Sequence, residues 1–290
     1  MAIWNLGSIN ADMVYAMPHL PAAGETLAAL SLDRFLGGKG ANMSVAATRA
    51  GSDVHHIGAV GPDGDWAVKR LEEYGVGISH IVQADTPTGH AIIAVDPEGE
   101  NQILLFPGAN RTLNREQVNQ ALSQAIAGDI LVMQNETSMQ AEAAQLGRKM
   151  GLRVCYAAAP FDAEAVQAVL PYLDFLILNE VEAQQLKQAT GKEPGGLGIK
   201  DVIITLGAKG ARHIDGETGA VSDVPALAVT PVDTTGAGDT FTGYVLSGLD
   251  LGLTVAEAME QASRAGALMV TRRGTADVIP TLEEVQAAAF

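Results

Sequence analysis

The sequence predicts an α/β sandwich on a mostly parallel sheet, and three observations carry that reading. Apolar β-rich runs occur at Ile130-Leu-Val-Met133, Val154-Cys-Tyr156, Phe175-Leu-Ile-Leu178 and Val202-Ile-Ile-Thr205, without the polar alternation of half-exposed strands. Amphipathic windows such as Met139–Met150 and Val181–Ala189 lie between them, as crossover helices would. The 290 residues, 47% apolar and 18% charged, suffice for a substantial core and exclude disorder as the main state.

Taken in order, the chain opens on an apolar strand over Ile3–Ile9, followed at once by Asn10-Ala-Asp12. Residues 11–36 carry β-type runs broken by Pro18, Pro21 and Gly24, with no helix. Gly37-Gly-Lys-Gly-Ala-Asn42 then opens a helix predicted over Met43–Ala50, and His55-His56 falls within a further β-type run. Between 87 and 106, Thr88-Gly-His-Ala-Ile-Ile-Ala-Val95, the turn Asp96-Pro-Glu-Gly99 and Gln102-Ile-Leu-Leu-Phe106 form a hairpin signature. The two interruptions, 11–36 and 87–106, predict a small antiparallel flap. Ligands of such sheets bind outside the carboxyl ends of the strands, so motifs directly after strands carry the most functional weight.

Acidic residues outnumber basic ones 34 to 18, for a formal charge of −16. A field of that sign repels phosphate backbones and anionic lipid, which argues against nucleic-acid and membrane partners. An anionic small substrate would need local positive potential. No Lys or Arg precedes Arg34 and no apolar run approaches a bilayer span, so a cytoplasmic location is expected. Cys155, the single cysteine, lies in an apolar strand and reads as a buried small hydrophobe. The triplets beginning at Asn42, Asn110 and Asn135 match the glycosylation pattern, and without a secretion signal they read as chance.

The richest chemistry lies in Asp233-Thr-Thr-Gly-Ala-Gly-Asp-Thr-Phe241, ahead of an apolar helical run. Gly236, Ala237 and Gly238 would present backbone N–H groups at the positive end of that helix. Asp239 lies at the mouth of this nest, where it could accept a hydroxyl proton or merely cap the helix. Lys39 and Asn42 could hydrogen-bond a polyol, or the glycines around them could be a plain loop. Asn179 and Glu182, directly after a strand, could hold a hydrated Mg²⁺ or simply form a solvated first helical turn. Thr205-Leu-Gly-Ala-Lys-Gly210 also follows a strand, and its glycines could line a nucleotide slot. No Gly-Lys is followed by Ser or Thr and no G-x-G-x-x-G occurs, which removes the P-loop and dinucleotide readings. The six histidines lack metal-ligand spacing.

Taken together, the motifs resemble the ribokinase branch of the PfkB-type carbohydrate kinases. The matching segments are Gly7-Ser-Ile-Asn-Ala-Asp12, Gly37-Gly-Lys-Gly-Ala-Asn42, Gly61-Pro-Asp-Gly64, Met133-Gln-Asn-Glu136, Asn179-Glu-Val-Glu182, Thr205-Leu-Gly207, Asp233-Thr-Thr-Gly-Ala-Gly-Asp239 and Val270-Thr-Arg-Arg-Gly274, in the family's order. The resemblance implies a three-layer α/β/α domain (residues 1–10, 37–86 and 107–290) with a β-sheet lid (11–36 and 87–106). It implies ATP-dependent phosphorylation of a sugar hydroxyl, with Asp239 as general base and Gly236, Ala237 and Gly238 as anion hole. Asn10, Asp12, Gly38, Lys39, Asn42 and Glu136 would hold the sugar. Asn179, Thr205, Gly207 and Gly210 would contact the nucleotide, and Glu182 would act near Mg²⁺ through water. A monovalent cation such as K⁺ would lie by Asp233 and the carbonyls of Thr235, Met269, Arg272 and Gly274.

Gly-Gly-Lys-Gly-Ala-Asn favours D-ribose as acceptor, against another pentose, a ketose, a sugar acid or a nucleoside. A catalytically silent sugar-binding protein is the alternative from another class. Two segments depart from the family pattern. Ala157-Ala-Ala-Pro160 replaces an Asn-Pro-Ala-Pro-like turn, removing a polar group near the site, and Gly191–Lys200 is too short and glycine-rich for the usual helix. An apolar lid face formed by Ile92, Val95, Leu104 and Phe106 is expected to pair with a second copy as a homodimer.

Overall fold

A computed structural model describes residues 1–290. The amino-terminal part contains β1 (Ala2–Leu6), β2 (Asn10–Ala16), β3 (Ser31–Gly37), α1 (Lys39–Arg49), β4 (Asp53–Val60), α2 (Asp65–Glu73), β5 (Gly77–Gln83), β6 (Gly89–Val95) and β7 (Asn101–Phe106). The middle contains α3 (Arg115–Leu122), β8 (Ile130–Gln134), α4 (Gln140–Met150), β9 (Arg153–Ala157), α5 (Ala163–Val169), β10 (Phe175–Asn179), α6 (Glu180–Thr190) and β11 (Asp201–Thr205). The chain ends with β12 (Ala211–Asp215), β13 (Val221–Val224), α7 (Ala237–Asp250), α8 (Val255–Met269) and α9 (Leu282–Ala287).

Nine strands form one sheet in the order β13-β12-β11-β10-β9-β8-β1-β4-β5. It is parallel from β5 to β11, and β12 and β13 add antiparallel at one edge. The apolar runs divide their side chains between two cores, as strand pleating requires. Ile130, Val132, Phe175, Ile177 and Ile203 enter one core with residues of α1, α2, α7 and α8. Leu131, Met133, Leu176, Leu178 and Val202 enter the other with residues of α3, α4, α5 and α6. The result is three layers, α/β/α. No helix is long and apolar enough to cross a membrane.

From β1 the sheet grows through β4 and β5 to one side and through β8 to β13 to the other. The carboxyl ends of β1 and β8 therefore flank the crevice where an open sheet of this kind takes its ligand.

A second sheet of four strands has the order β3-β2-β6-β7. The predicted flap is thus present, but it is mixed: β2 pairs with β6 in parallel, because the two strands leave the main body side by side at Asn10 and Gly89. The hairpin between β6 and β7 turns at Asp96, whose Oδ1 accepts the amides of Glu98 and Glu100 at 3.0 and 2.9 Å. Alternation along β6 places Val95 on the face opposite Ile92, so the expected pairing face loses that residue.

Two other expectations needed adjustment. β1 ends at Leu6 rather than Ile9, and α1 begins at Lys39 rather than Met43, because a glycine caps it and the helix swallows the second half of the glycine motif. Residues 191–200 form only a short 3₁₀ turn at Pro194–Gly196, and Ile204 beneath stays half-buried. Cys155 is buried, and its burial pushes the thiol up to about 12. Asn42, Asn110 and Asn135, the three glycosylation-like asparagines, are all buried.

Candidate active site

The site forms where two glycine-capped helices point their first turns at the crevice. Helices α3, α5, α6, α8 and α9 start at a side-chain cap, supplied by Asn114, Asp162, Asn179, Thr254 and Thr281. Helices α1 and α7 start at Gly38 and Gly236, which have none to offer. For α1 the rest of the fold supplies acceptors. Glu136, after β8, accepts the Lys39 amide at 3.1 Å, and Ser8, after β1, accepts the amides of Gly40 and Ala41 through its hydroxyl and carbonyl at 3.2 and 2.8 Å. The Ser8 hydroxyl in turn donates to Glu136.

For α7 the account is incomplete. The Ala237 amide donates to the Thr234 carbonyl at 3.2 Å, whereas the amides of Gly236, Gly238 and Asp239 have no protein partner. Of the three expected anion-hole donors, Ala237 is therefore the one already engaged, and the Asp239 amide joins the free set. Unpartnered helix amides carrying the positive end of the dipole are an anion site in waiting.

Asp239, third residue of α7, is 7% exposed and faces the first turn of α1. Asn42 donates to its Oδ2 at 2.9 Å. One N–H of Asn42 is thus directed at Asp239, which leaves its second N–H, and the Oδ1 that is buried without a partner, for the sugar expected there. Burial raises the Asp239 carboxyl above its ordinary value, while Lys39 and the Asn42 hydrogen bond oppose the rise. Asp12, on β2, is raised to about 7 by burial and by the charges of Glu136 and Asp239, against the pull of Lys39. Lys39 is held above its usual value by Asp239 foremost, and by Glu136, Glu182 and Asp12. One ammonium therefore serves four carboxylates, so a polyphosphate would enter this crevice only with cations of its own.

Beneath α1, polar groups fix its position. Gly7 and Gly40 pack backbone on backbone, with no room for a Cβ on either. Asn5 donates to the Gly40 carbonyl and to Ser44 Oγ, both at 2.8 Å, and accepts from Gln134 at 2.9 Å. His56, held down to about 4 by burial and so neutral, joins Ser44 to the Gly7 carbonyl at 2.8 and 3.1 Å.

Toward the other side, Asn179 and Glu182 form a capping box, with Asn179 Oδ1 accepting the Glu182 amide and Glu182 Oε2 accepting the Asn179 amide, both at 2.8 Å. The plain structural role expected as their alternative is present. Glu182 keeps Oε1 outside the cap, and burial raises its carboxyl above the ordinary value against the Asn179 amide and the charge of Lys39. Thr205 ends β11, and Gly207 opens the tight turn after it. Gly210 has a structural reason to be glycine: a Cβ there would strike the Val224 carbonyl.

The expected monovalent-cation residues lie around Asp233 and the end of α8. Asp233 accepts the amides of Thr235 and Gly274 at 2.9 and 3.2 Å, drawing two loops onto one carboxylate. The Met269 carbonyl accepts the Arg272 amide at 2.9 Å and keeps a second lone pair, while the Arg272 guanidinium pairs with Glu284.

Sequence reasoning missed Ser8 and Asn110 as individual contributors. Ser8 sat within a quoted motif without a role. Asn110 lay in a triplet read only for glycosylation, although Pro107-Gly-Ala-Asn110 directly follows a strand, the position that signals function in this architecture.

A crevice with a buried carboxylate, an ammonium and free helix amides can take a proton from a hydroxyl and hold an anion beside it. The pattern of the pfkB family carbohydrate kinases matches residues 3–282. A ribokinase of Haemophilus influenzae is 35% identical over 96% of this chain and 95% of its own length. A deoxyribokinase of Salmonella typhimurium is 32% identical over 98% and 97%. The structure of Arabidopsis thaliana ribokinase complexed with ribose and ATP superposes with a TM-score of 0.84 at 28% identity, covering 99% of this chain and 98% of that one.

Proposed function

We propose that this chain, which belongs to the pfkB family of carbohydrate kinases and to its ribokinase branch, transfers the γ-phosphoryl group of ATP to the 5-hydroxyl of D-ribose. The observation that carries the reading is Asp239, buried against Lys39 and Asn42 beside the unpartnered amides of α7.

In this reading the sugar lies between β2 and the first turn of α1, held by Asn10, Asp12, Gly38, Lys39, Asn42 and Glu136. Asp239 accepts the hydroxyl proton as the oxygen–phosphorus bond forms and the bond to the ADP oxygen breaks. Phosphoryl transfer has a loose transition state, so placement and charge stabilisation count for more than base strength. The amides of Gly236, Gly238 and Asp239 face the charge on the transferred group. Mg²⁺, when bound with ATP, neutralises phosphate charge. Glu182 Oε1 would hold water of its shell, which suits a hard cation that keeps most of its waters. Asp233 would serve a K⁺ ion together with the carbonyls of Thr235, Met269, Arg272 and Gly274. The small sheet acts as a lid that excludes water and so limits ATP hydrolysis.

The lid also supports a homodimer. Ile92, Leu104 and Phe106 share its outer face and are 38%, 69% and 43% exposed, an apolar surface suited to a second copy. A second reading, 2-deoxy-D-ribose as acceptor, is favoured by the deoxyribokinase relative at nearly the same identity.

The deciding experiment is ADP release from Mg-ATP across pentoses, 2-deoxyribose, hexoses and nucleosides, with and without K⁺. The highest kcat/KM on D-ribose is expected. Preference for 2-deoxyribose would move the assignment, and sugar-induced thermal stabilisation without ADP release would identify a silent binder.

A further inference from the structure

We propose that Asn110 is a specificity-determining positioning residue that fixes which end of the Asn10 side-chain amide faces the sugar. An asparagine amide has an acceptor end and a donor end of nearly the same shape, so its orientation must be set by its partners. Here the setting starts from a group that has no choice. The Ile9 backbone N–H can only donate, and it donates to Asn110 Oδ1 at 2.9 Å. Asn110 Nδ2 must then point the other way, where it donates to Asn10 Oδ1 at 2.8 Å. Asn10 Nδ2 is left as the end that is not consumed. The three residues are buried, with Asn110 2% and Asn10 5% exposed, so water does not compete for either bond.

Gly89 supplies independent support. It lies opposite Asn10 in the β2–β6 register, and a Cβ on it would collide with both Asn110 Nδ2 and Asn10 Oδ1. Its φ is not in the left-handed region, so conformation alone does not demand glycine there. Space for the hydrogen bond does. The relay also ties the start of β2 to the turn after β7, two points where the small sheet joins the main body, so the donor is set by a contact at the root of the lid.

The chemical consequence is a polarity requirement. Asn10 presents a donor and the neighbouring Asp12, once ionised, presents acceptor oxygens, so the bound sugar must offer an oxygen lone pair to the first and a hydroxyl hydrogen to the second. An analogue lacking either is rejected because a buried polar group is left unpaired. This inference rests on the reading of Asn10 as a sugar contact.

The test is a double-mutant cycle on the full-length kinase, using whichever of D-ribose and 2-deoxy-D-ribose turns over better. Asn110→Asp keeps the acceptor for Ile9 and removes the donor to Asn10; Asn110→Ala is the second variant, without the added charge. In the Asn10 background both should raise sugar KM by about 10- to 100-fold, with kcat at saturation and ATP KM changed by less than about threefold. In an Asn10→Ala background the same changes should move sugar KM by less than about twofold, since the relay has nothing left to orient. Equal effects in the two backgrounds would show a general structural role and overturn the proposal. So would an unchanged KM in both Asn110 variants while Asn10→Ala raises it. If Asn10→Ala itself leaves KM unchanged, Asn10 is not a sugar contact, and the proposal falls with that placement, while the kinase assignment stands on ADP release.

Discussion

Asn42 Nδ2 lies 2.9 Å from Asp239 Oδ2, joining the first turns of the two glycine-capped helices that converge on the crevice. The residues are 197 apart in sequence. The bond aims the carboxylate and favours its ionised form against the burial that opposes it.

Removing the carboxylate should abolish most turnover. Asp239→Asn is expected to lower kcat by roughly 10²- to 10⁴-fold while sugar binding, followed by ligand-induced thermal stabilisation, persists. Near-normal turnover would show that another group takes the proton. Asn42→Asp replaces a donor with a like charge, which raises the Asp239 pKa further. Because the proton acceptor must be ionised, the acidic limb of the kcat–pH profile should move to higher pH. A limb that stays in place would separate Asn42 from Asp239 function.

Asp12 should make stability depend on pH. Its pKa is about 7 when folded, against an ordinary 3.8, so the folded chain retains a proton that the unfolded chain has released between those values. Stability therefore falls as pH rises through this window, and the cost is complete above about 7. Asp12→Asn should raise Tm by a few degrees at pH 8 and hardly at all near pH 4, while weakening sugar binding. Equal shifts at both pH values would assign the effect to packing.

Gly238 separates helix stability from phosphate access. A Cβ at this position meets nothing within 4 Å, and the residue already has helical backbone in α7. Gly238→Ala should therefore leave the fold intact, or stabilise it by about 0.4–1 kcal/mol through lost unfolded-state entropy. If the phosphoryl group docks on the free amides, a methyl on this residue crowds it, so kcat should fall by an order of magnitude or more. Unimpaired kcat would place the transferred group elsewhere.

The outer face of the small sheet predicts a dimer. Light scattering at micromolar concentration should give twice the chain mass, and Leu104→Glu, a charge at the most exposed apolar position of that face, should give a monomer. A monomeric parent protein would remove the interface.

The fold was legible because its strands are buried on both faces. Runs such as Phe175-Leu-Ile-Leu178 need no alternation to be recognised, and the turn at Asp96–Gly99 carries its own signature. The mixed pairing of the small sheet was not legible. Whether β2 meets β6 parallel or antiparallel depends on where the two strands leave the main body, and no local pattern records that. Asp239 and its glycines could be named from their own stretch of chain, because a helix tip is built from consecutive residues. Asn110 could not, since its meaning lies in two partners about a hundred residues away.

By itself, then, the amino-acid order determined the layers, the strand-end loops and the residue types offered to a ligand, all consequences of local propensity and burial pattern. Only the tertiary structure decided which polar groups remain unspent. It engaged the Ala237 amide and freed that of Asp239, tied Asn179 and Glu182 into a cap, and turned Asn42 toward Asp239. A hydrogen-bonding group has a limited number of partners, and which one it takes is a property of three-dimensional neighbours.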